Sequence, residues 1–221
     1  MNSISPNLNI MIKACEKASK TLKRDFGEIE NLQVSKKGPK DFVTNADRKV
    51  EKVLINELNK FKKKFSILSE EIGYIENEDK ENTWIIDPID GTTNFLNGVP
   101  HFCISVALKT YDQIVSGLIL DPIKDEIFYA EINNGAYHNN HRIRVSKKNN
   151  LDDCLFATNA LGIKRTNLTT RVTGSAALDL AYVGAGRFDG YFQENLNLWD
   201  IAAGIILVKE AGGVLHSNDL S

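Results

Sequence analysis

The sequence predicts an α+β protein of layered helices and sheets, and three observations carry that expectation. Residues 7 to 30 place Ile10, Met11, Ala14, Ala18, Leu22, Phe26 and Ile29 at helical spacing. Three consecutive stretches, Phe102 to Lys109, Gln113 to Leu120 and Glu126 to Glu131, read as sequential antiparallel strands, with turn signals at Tyr111-Asp112 and Asp121-Pro122. Toward the end, Asp200 to Ala211 is apolar on nearly every side, as a buried helix must be. Such interior helices beside mostly antiparallel strands imply stacked layers in one body. At 221 residues and 42% hydrophobic content the chain suffices for one core.

The remaining elements follow in order. A basic break at Lys36-Lys37-Gly38-Pro39-Lys40 ends the first helix region. A second helix is expected from Thr44, with Val50, Leu54, Leu58 and Phe61 on one face and Lys62-Lys63-Lys64 at its C-terminus. Strands are expected near 65 to 70 and 83 to 87, and Asn133-Asn134-Gly135 closes the antiparallel run with a turn. Beyond it come a short strand at Cys154 to Thr158, a small-residue helix from Ser175 to Gly184, and a strand near Phe188 to Phe192.

Composition excludes several functions. The formal net charge is −2, and the Lys runs are offset by acidic residues at 76 to 81, so no basic stripe for nucleic acid is present. Cys15, Cys103 and Cys154 are odd in number and widely spaced, which argues against a disulfide framework or a zinc site and for a reducing, cytoplasmic compartment. No leader pattern or membrane-spanning segment is expected.

The most informative segment is Trp84-Ile85-Ile86-Asp87-Pro88-Ile89-Asp90-Gly91-Thr92-Thr93-Asn94-Phe95. An apolar strand runs into two carboxylates and then into an expected helix start. Asp87 and Asp90 would converge if the chain turned sharply, with the Ile89 carbonyl exposed between them, and hard oxygen ligands of that kind suit Mg2+. Gly91 lets the backbone approach an anion, and the free N–H groups and dipole of the following helix favour phosphate. Asp-Pro and Asp-Gly are also ordinary turn signals, and an EF-hand loop is excluded because Ile86 and Pro88 fall where oxygen ligands are required.

Other acids lift the segment above a turn. Asp47, three residues after Thr44, fits a capping box. At about 100° per residue it nevertheless lies within about 60° of Val50, Leu54, Leu58 and Phe61, so it points inward. Glu70 and Glu71 close a strand, where only one of the two can face a given cleft. Asp200 fits an ordinary N-cap.

At these residues the chain resembles the inositol monophosphatase family of Mg2+-dependent sugar phosphatases. The resemblance rests on Asp41-Phe42-Val43-Thr44-Asn45-Ala46-Asp47 with Glu70-Glu71, on Trp84 to Phe95, and on Trp199-Asp200-Ile201-Ala202-Ala203-Gly204 continuing to Glu210-Ala211-Gly212-Gly213. It covers essentially all of residues 1–221 as one domain, with most ligands in 1–132 and the substrate-side segments and Asp200 in 133–221. The fold it implies is an α/β/α/β/α sandwich, from which the C-terminal strand and helix are missing in this chain.

The resemblance implies two to three Mg2+ ions: one held by Glu70, Asp87 and the Ile89 carbonyl, a second by Asp87, Asp90 and Asp200, and a looser third near Glu70 and Asp47. It also implies that Gly91 and Thr92 bind phosphate through backbone amides, that the Thr92 hydroxyl, held by Asp47, helps orient the attacking water, and that Asp90, Asp200 and the Gly174-Ser175-Ala176 segment contact substrate hydroxyls. Hydrolysis would be direct and in line, one ion activating water and the other stabilising the leaving alkoxide. No covalent nucleophile is needed, and His101, His138, His141 and His216 are expected to be structural or surface groups. The family's usual Glu seven residues before the last Asp ligand is Gln193 here, with Glu194 beside it, which leaves the substrate open.

The expected activity is hydrolysis of a small phosphorylated polyol or sugar, inositol monophosphate being the reference. Histidinol phosphate, fructose bisphosphate and a 3'-phosphonucleotide are alternatives in the same chemistry, and a binding role in transcription complexes is one of another class. The expected partner is a second copy of the chain, in a homodimer, with no membrane and no direct nucleic-acid contact.

Overall fold

The computed structural model describes residues 4–28, 34–36, 42–159 and 168–216, the strands at 34–36 and 42–44 by backbone alone. Helix α1 (Pro6–Gly27) is capped by Ser5, whose Oγ accepts from the Leu8 amide at 3.2 Å. A two-stranded ladder of β1 (Val34–Lys36) and β2 (Phe42–Thr44) leads into α2 (Asn45–Phe61). The rest of the basic break, the Ile29 position and the Asp41 and Thr44 side chains lie outside the described residues.

A large sheet follows, made from β3 (Phe65–Ser69), β4 (Gly73–Ile75), β5 (Asp79–Asp90), β6 (Cys103–Thr110), β7 (Gln113–Asp121), β8 (Glu126–Glu131), β9 (Gly135–His138) and β10 (His141–Arg142). Its order is β10-β9-β8-β7-β6-β5-β3-β4, antiparallel except where β3 runs parallel to β5. The expected run β6-β7-β8 is present. Asn133 to Gly135 does not end it, however: the chain turns there and adds β9 and β10. The weak alternation of β6 also has its reason, since Cys103 to Leu108 are buried on both faces.

Helices cover both sides of this sheet. On one, α1 and α2 pack Met11, Leu22, Val50, Leu54 and Leu58 against Trp84, Ile86, Ile104 and Val106. On the other lie α4 (Ala176–Gly184) and α5 (Leu198–Glu210), whose Ala177, Ala203 and Ile206 meet Ile85, Ala107 and Ile119. Small residues are needed here because a Cβ at Gly117 would sit 2.8 Å from the Ala203 backbone and 2.6 Å from Ile206. Beyond α4 and α5 a second sheet, β11 (Leu155–Thr158), β12 (Thr169–Arg171) and β13 (Gly190–Phe192), is wholly parallel in the order β12-β11-β13. Four of the five expected layers are thus present among the described residues, in an α+β sandwich.

Two expectations need correction. Phe61 does not complete the core face of α2: it is the last residue of the helix and 60% exposed. Asp200 is not the N-cap of α5. Asn197 holds that place, and Asp200 sits three residues on, accepting the Asn197 amide at 2.7 Å.

Candidate active site

Strand β5 delivers both acids of the central segment, and it does so without the sharp turn expected from the sequence. It stays paired with β6 through Asp90, with Asp87 opposite Ser105 and Asp90 opposite Cys103. Three steps on β5 therefore match two on β6, a bulge at Pro88 and Ile89, where proline has no ladder N–H to lose. Residues three apart on a regular strand point to opposite faces. The bulge returns Asp90 to the face of Asp87, toward α4 and α5.

Short α3 (Thr92–Leu96) follows Gly91, whose φ of +94° and close approach to the His101 carbonyl, 3.0 Å from where a Cβ would stand, leave no room for a side chain. The helix has only five residues, so the expected dipole is small and its leading amides are what remain to meet an anion. The Thr92 hydroxyl donates to the Ile89 carbonyl at 2.9 Å.

The other expected residues arrive from separate elements. Asp47, in the first turn of α2, is 1% exposed, as its helical angle requires. Glu70 follows β3, with its amide on the Ile86 carbonyl at 3.2 Å. Asp90 is gripped by the start of α4: Ser175 Oγ donates to Oδ2 at 2.6 Å, Ala177 N to Oδ2 at 2.7 Å and Ala176 N to Oδ1 at 3.3 Å. Gly174, at φ +89°, makes the turn that permits this.

Burial and mutual repulsion shape the acids. Burial, then the charges of Asp47, Glu71 and Asp200, push the Glu70 carboxyl up to about 8. Asp87 is raised well above the carboxylate range by burial and then by Glu70, Asp90, Asp200 and Asp47. Asp90 reaches only about 6, because its hydrogen bonds from Ser175 and Ala177 oppose burial. Burial also raises Asp200, against the bonds from Asn197.

Five carboxylates brought this close, three of them raised by the charge of others, are a donor set suited to a hard cation such as Mg2+. Among the described residues no group of three or more His, Cys, Asp or Glu stands ready-made to hold a metal ion. Several of the carboxylate oxygens are turned to protein donors instead, Asp87 Oδ1 to the Ile89 amide at 3.0 Å among them.

Some residues around the site escaped sequence reasoning. Glu51, 3% exposed, accepts the Glu71 amide at 3.2 Å and the Ile72 amide at 3.3 Å. Asp179 of α4, pushed by burial up to about 7, accepts from Thr173 Oγ1 at 2.7 Å. Asn94 donates to the His101 and Thr173 carbonyls, both at 2.8 Å, and joins α3 to the Gly174 turn. Tyr191 of β13, raised first by burial and then by the charges of Asp179, Asp90 and Asp200, donates to Gln193 Oε1. The heptad-like stripe of α2 holds the one usable signal, since Glu51 lies four residues after the inward Asp47.

The histidines take structural or surface places. His138 lies 3.2 Å from Glu126 and stacks on Phe128 at 4.6 Å, His101 is half-buried near Tyr182, and His141 and His216 are exposed. Glu194 is exposed, one residue after the half-buried Gln193, and both lie beyond the end of β13. The three cysteines are free thiols, all buried. No helix among the described residues is long and apolar enough to cross a membrane.

Comparison with known proteins supplies the family. The inositol monophosphatase family model matches residues 4–219. The inositol-1-monophosphatase of Mesorhizobium japonicum is 45% identical over 96% of this chain and 85% of its own length. The Nus factor SuhB of Escherichia coli K12 is 39% identical over 95% and 84%. Among solved structures, the extragenic suppressor protein SuhB of Bartonella henselae superposes with a TM-score of 0.90 at 48% identity, covering 94% of this chain and 86% of that one. A Thermotoga maritima inositol monophosphatase gives 0.85 at 40% identity, over 94% and 84%. With the match running through both halves of the sandwich and every block of acids, the chain belongs to the inositol monophosphatase family, a family of phosphoric monoester hydrolases.

Proposed function

We propose that this protein hydrolyses a small phosphorylated polyol or sugar in a Mg2+-dependent reaction, with inositol monophosphate as the reference substrate. The observation that carries the reading is the clustering of Asp47, Glu70, Asp87, Asp90 and Asp200, whose strongest influences on Asp87 after burial are the other four carboxylates. Like charges gathered in a low-dielectric cleft are costly unless a cation is meant to join them. Bound Mg2+ supplies charge neutralisation and a more acidic water.

The chain's own residues do the rest. Glu70, Asp87, Asp90, Asp200 and the Ile89 carbonyl would hold two ions, with Asp47 beside a third. The Gly91 and Thr92 amides would receive the phosphate, where the absence of a Cβ at Gly91 lets it come close. The Thr92 hydroxyl, released from Ile89 and accepted by Asp47, would orient the attacking water. Ser175 and Ala176 hold Asp90 in place, and with it would lie beside the substrate's hydroxyls.

Specificity is assigned to Gln193. Its Oε1 already accepts the Tyr191 hydroxyl, so the amide nitrogen would be what it offers a substrate, a donor where family members with Glu offer only acceptors. Glu in this place should therefore favour polyol hydroxyls. We expect Gln193→Glu to raise kcat/KM for inositol monophosphate by about 10-fold, on the order of one hydrogen bond to a charged group. A steady-state panel of inositol monophosphate, histidinol phosphate, fructose bisphosphate and a 3'-phosphonucleotide tests the substrate, and inositol monophosphate ranking last for the wild type would sink that assignment.

The name Nus factor, borne by a relative 39% identical, favours a second reading, a binding role in transcription complexes. Correctly folded protein that hydrolyses no panel member with Mg2+ would favour it. A homodimer in the cytoplasm completes the proposal, and light scattering on the purified chain checks the stoichiometry.

A further inference from the structure

Glu51 is a buried carboxylate outside every ligand set assigned above, and its bonds go to one place. It stands one turn beyond Asp47 on α2, 3% exposed. Its Oε1 accepts the Ser69 hydroxyl and the amides of Glu71 and Ile72, at 3.2 and 3.3 Å. Ser69 and Glu71 are the residues on either side of Glu70. Glu70 itself is tied by its amide to the Ile86 carbonyl, one residue before Asp87.

The loop from Glu70 to Ile72 joins β3 to β4, whose ladder closes at Ser69 and Gly73. The Glu71 and Ile72 amides lie inside that loop, outside the ladder, and need an acceptor when buried. Ile72 is 45% exposed, so solvent could supply one there. Here a carboxylate is buried to provide it, at a desolvation cost that an apolar side chain in the same helical position would not incur. Loop closure alone does not call for a charge from α2, whereas a fixed distance between Glu70 and the first turn of α2 does.

We propose that Glu51 is a positioning residue for the hydrolytic reaction: it locks the backbone around Glu70 to the helix that carries Asp47, and so sets the separation at which these two carboxylates can share a cation. The inference rests on the Mg2+-dependent reading above. Two consequences follow from it. Glu51 acts on ion binding more than on substrate binding, and it acts through its oxygen as an acceptor, so a neutral amide should largely replace it.

The test compares the full chain with Glu51→Gln and Glu51→Met, using calorimetric Mg2+ titration without substrate, steady-state kinetics and thermal melts. Glu51→Met is expected to weaken Mg2+ binding by about 10- to 100-fold, the range for residues that orient metal ligands. At saturating Mg2+, its substrate KM should stay within about twofold of wild type while kcat falls about 10-fold. Glu51→Gln should stay within about threefold of wild type in Mg2+ affinity. A folded Glu51→Met protein with wild-type Mg2+ affinity, or one whose defect lies in KM alone, overturns the proposal. So does Glu51→Gln failing as badly as Glu51→Met.

If Glu51→Met does not fold, Ser69→Ala decides: it removes one of the three bonds and is expected to weaken Mg2+ binding about threefold, and no change overturns the proposal. A wild-type protein that neither binds Mg2+ nor hydrolyses any phosphomonoester removes the underlying reading and the proposal with it. Active wild type beside an unaffected Glu51→Met removes the proposal alone.

Discussion

The two ends of the acidic cleft are held in different ways. Asp90 is buried and Glu70 half-buried, yet burial and neighbouring charge bring Asp90 only to about 6 and Glu70 to about 8. The difference lies in donors. Asp90 receives a hydroxyl and two amides from the start of α4, and those bonds favour its charged form. Around Glu70 the strongest influences after burial are three other carboxylates. One end of the site is thus organised chiefly by protein donors, and the other is dominated by repulsion that a bound cation would relieve.

The largest expected effect breaks the cation-dependent end. Asp87→Asn should lower Mg2+-dependent turnover about a thousandfold, roughly 4 kcal/mol of barrier. It should also leave the melting temperature of the metal-free protein unchanged or higher, since one buried charge of the cluster is gone. Turnover within tenfold of wild type would show that Asp87 holds no ion. A smaller effect is expected at the protein-organised end. Ser175→Ala removes one of three donors to Asp90 and should cost about 10-fold in kcat/KM, as orienting partners of metal ligands do. Kinetics indistinguishable from wild type would mean that the α4 amides hold Asp90 unaided.

The smallest effect is one of pH. Glu70, Asp90 and Asp179 have folded-state pKa values of about 8, 6 and 7, all above the ordinary carboxylate range. Between about pH 4 and 8 the folded chain therefore binds more protons than the unfolded one, so stability is greatest at the acid end and falls as pH rises through these values. The melting temperature of metal-stripped protein should drop by several degrees between about pH 5 and about pH 8.5. Mg2+ should reverse most of the drop owed to Glu70 and Asp90, and leave the part owed to Asp179, which is not among the proposed ligands. A melting temperature that does not fall over this range would contradict the comparison.

Much of this was legible in the chain because the signals are local. The helical stripe of α1, the three strands β6 to β8 and the apolar run of α5 each follow from spacing within one element. The inward position of Asp47 follows from its angle to Val50, Leu54 and Leu58. Strands β11 and β13 were also legible, but the hairpin β9-β10, edge strand β4, strand β12 and the parallel pairing of β11 with its neighbours were not. They are short, half-exposed or defined by partners distant in sequence, and a strand of three residues has no period to detect. Phe61 shows the opposite error: its helical phase was right, but at the end of α2 there was no layer left to cover it.

The sequence by itself determined the chemistry available to this protein: a strand ending in Asp87 and Asp90, a glycine where the backbone must come close, and acids at the ends of three other elements. Those are properties of residue type and short spacing, which no packing can alter. Only the tertiary structure decided how they meet. The bulge at Pro88 and Ile89 brings Asp87 and Asp90 to one face, because β5 takes three steps where its partner strand takes two and the one extra residue is forced out of register. The start of α4 quiets Asp90, and Glu51 reaches from α2 to the loop of Glu70. Each of these depends on atoms far apart in sequence and a few ångströms apart in space, which is where hydrogen bonds and charge repulsion act.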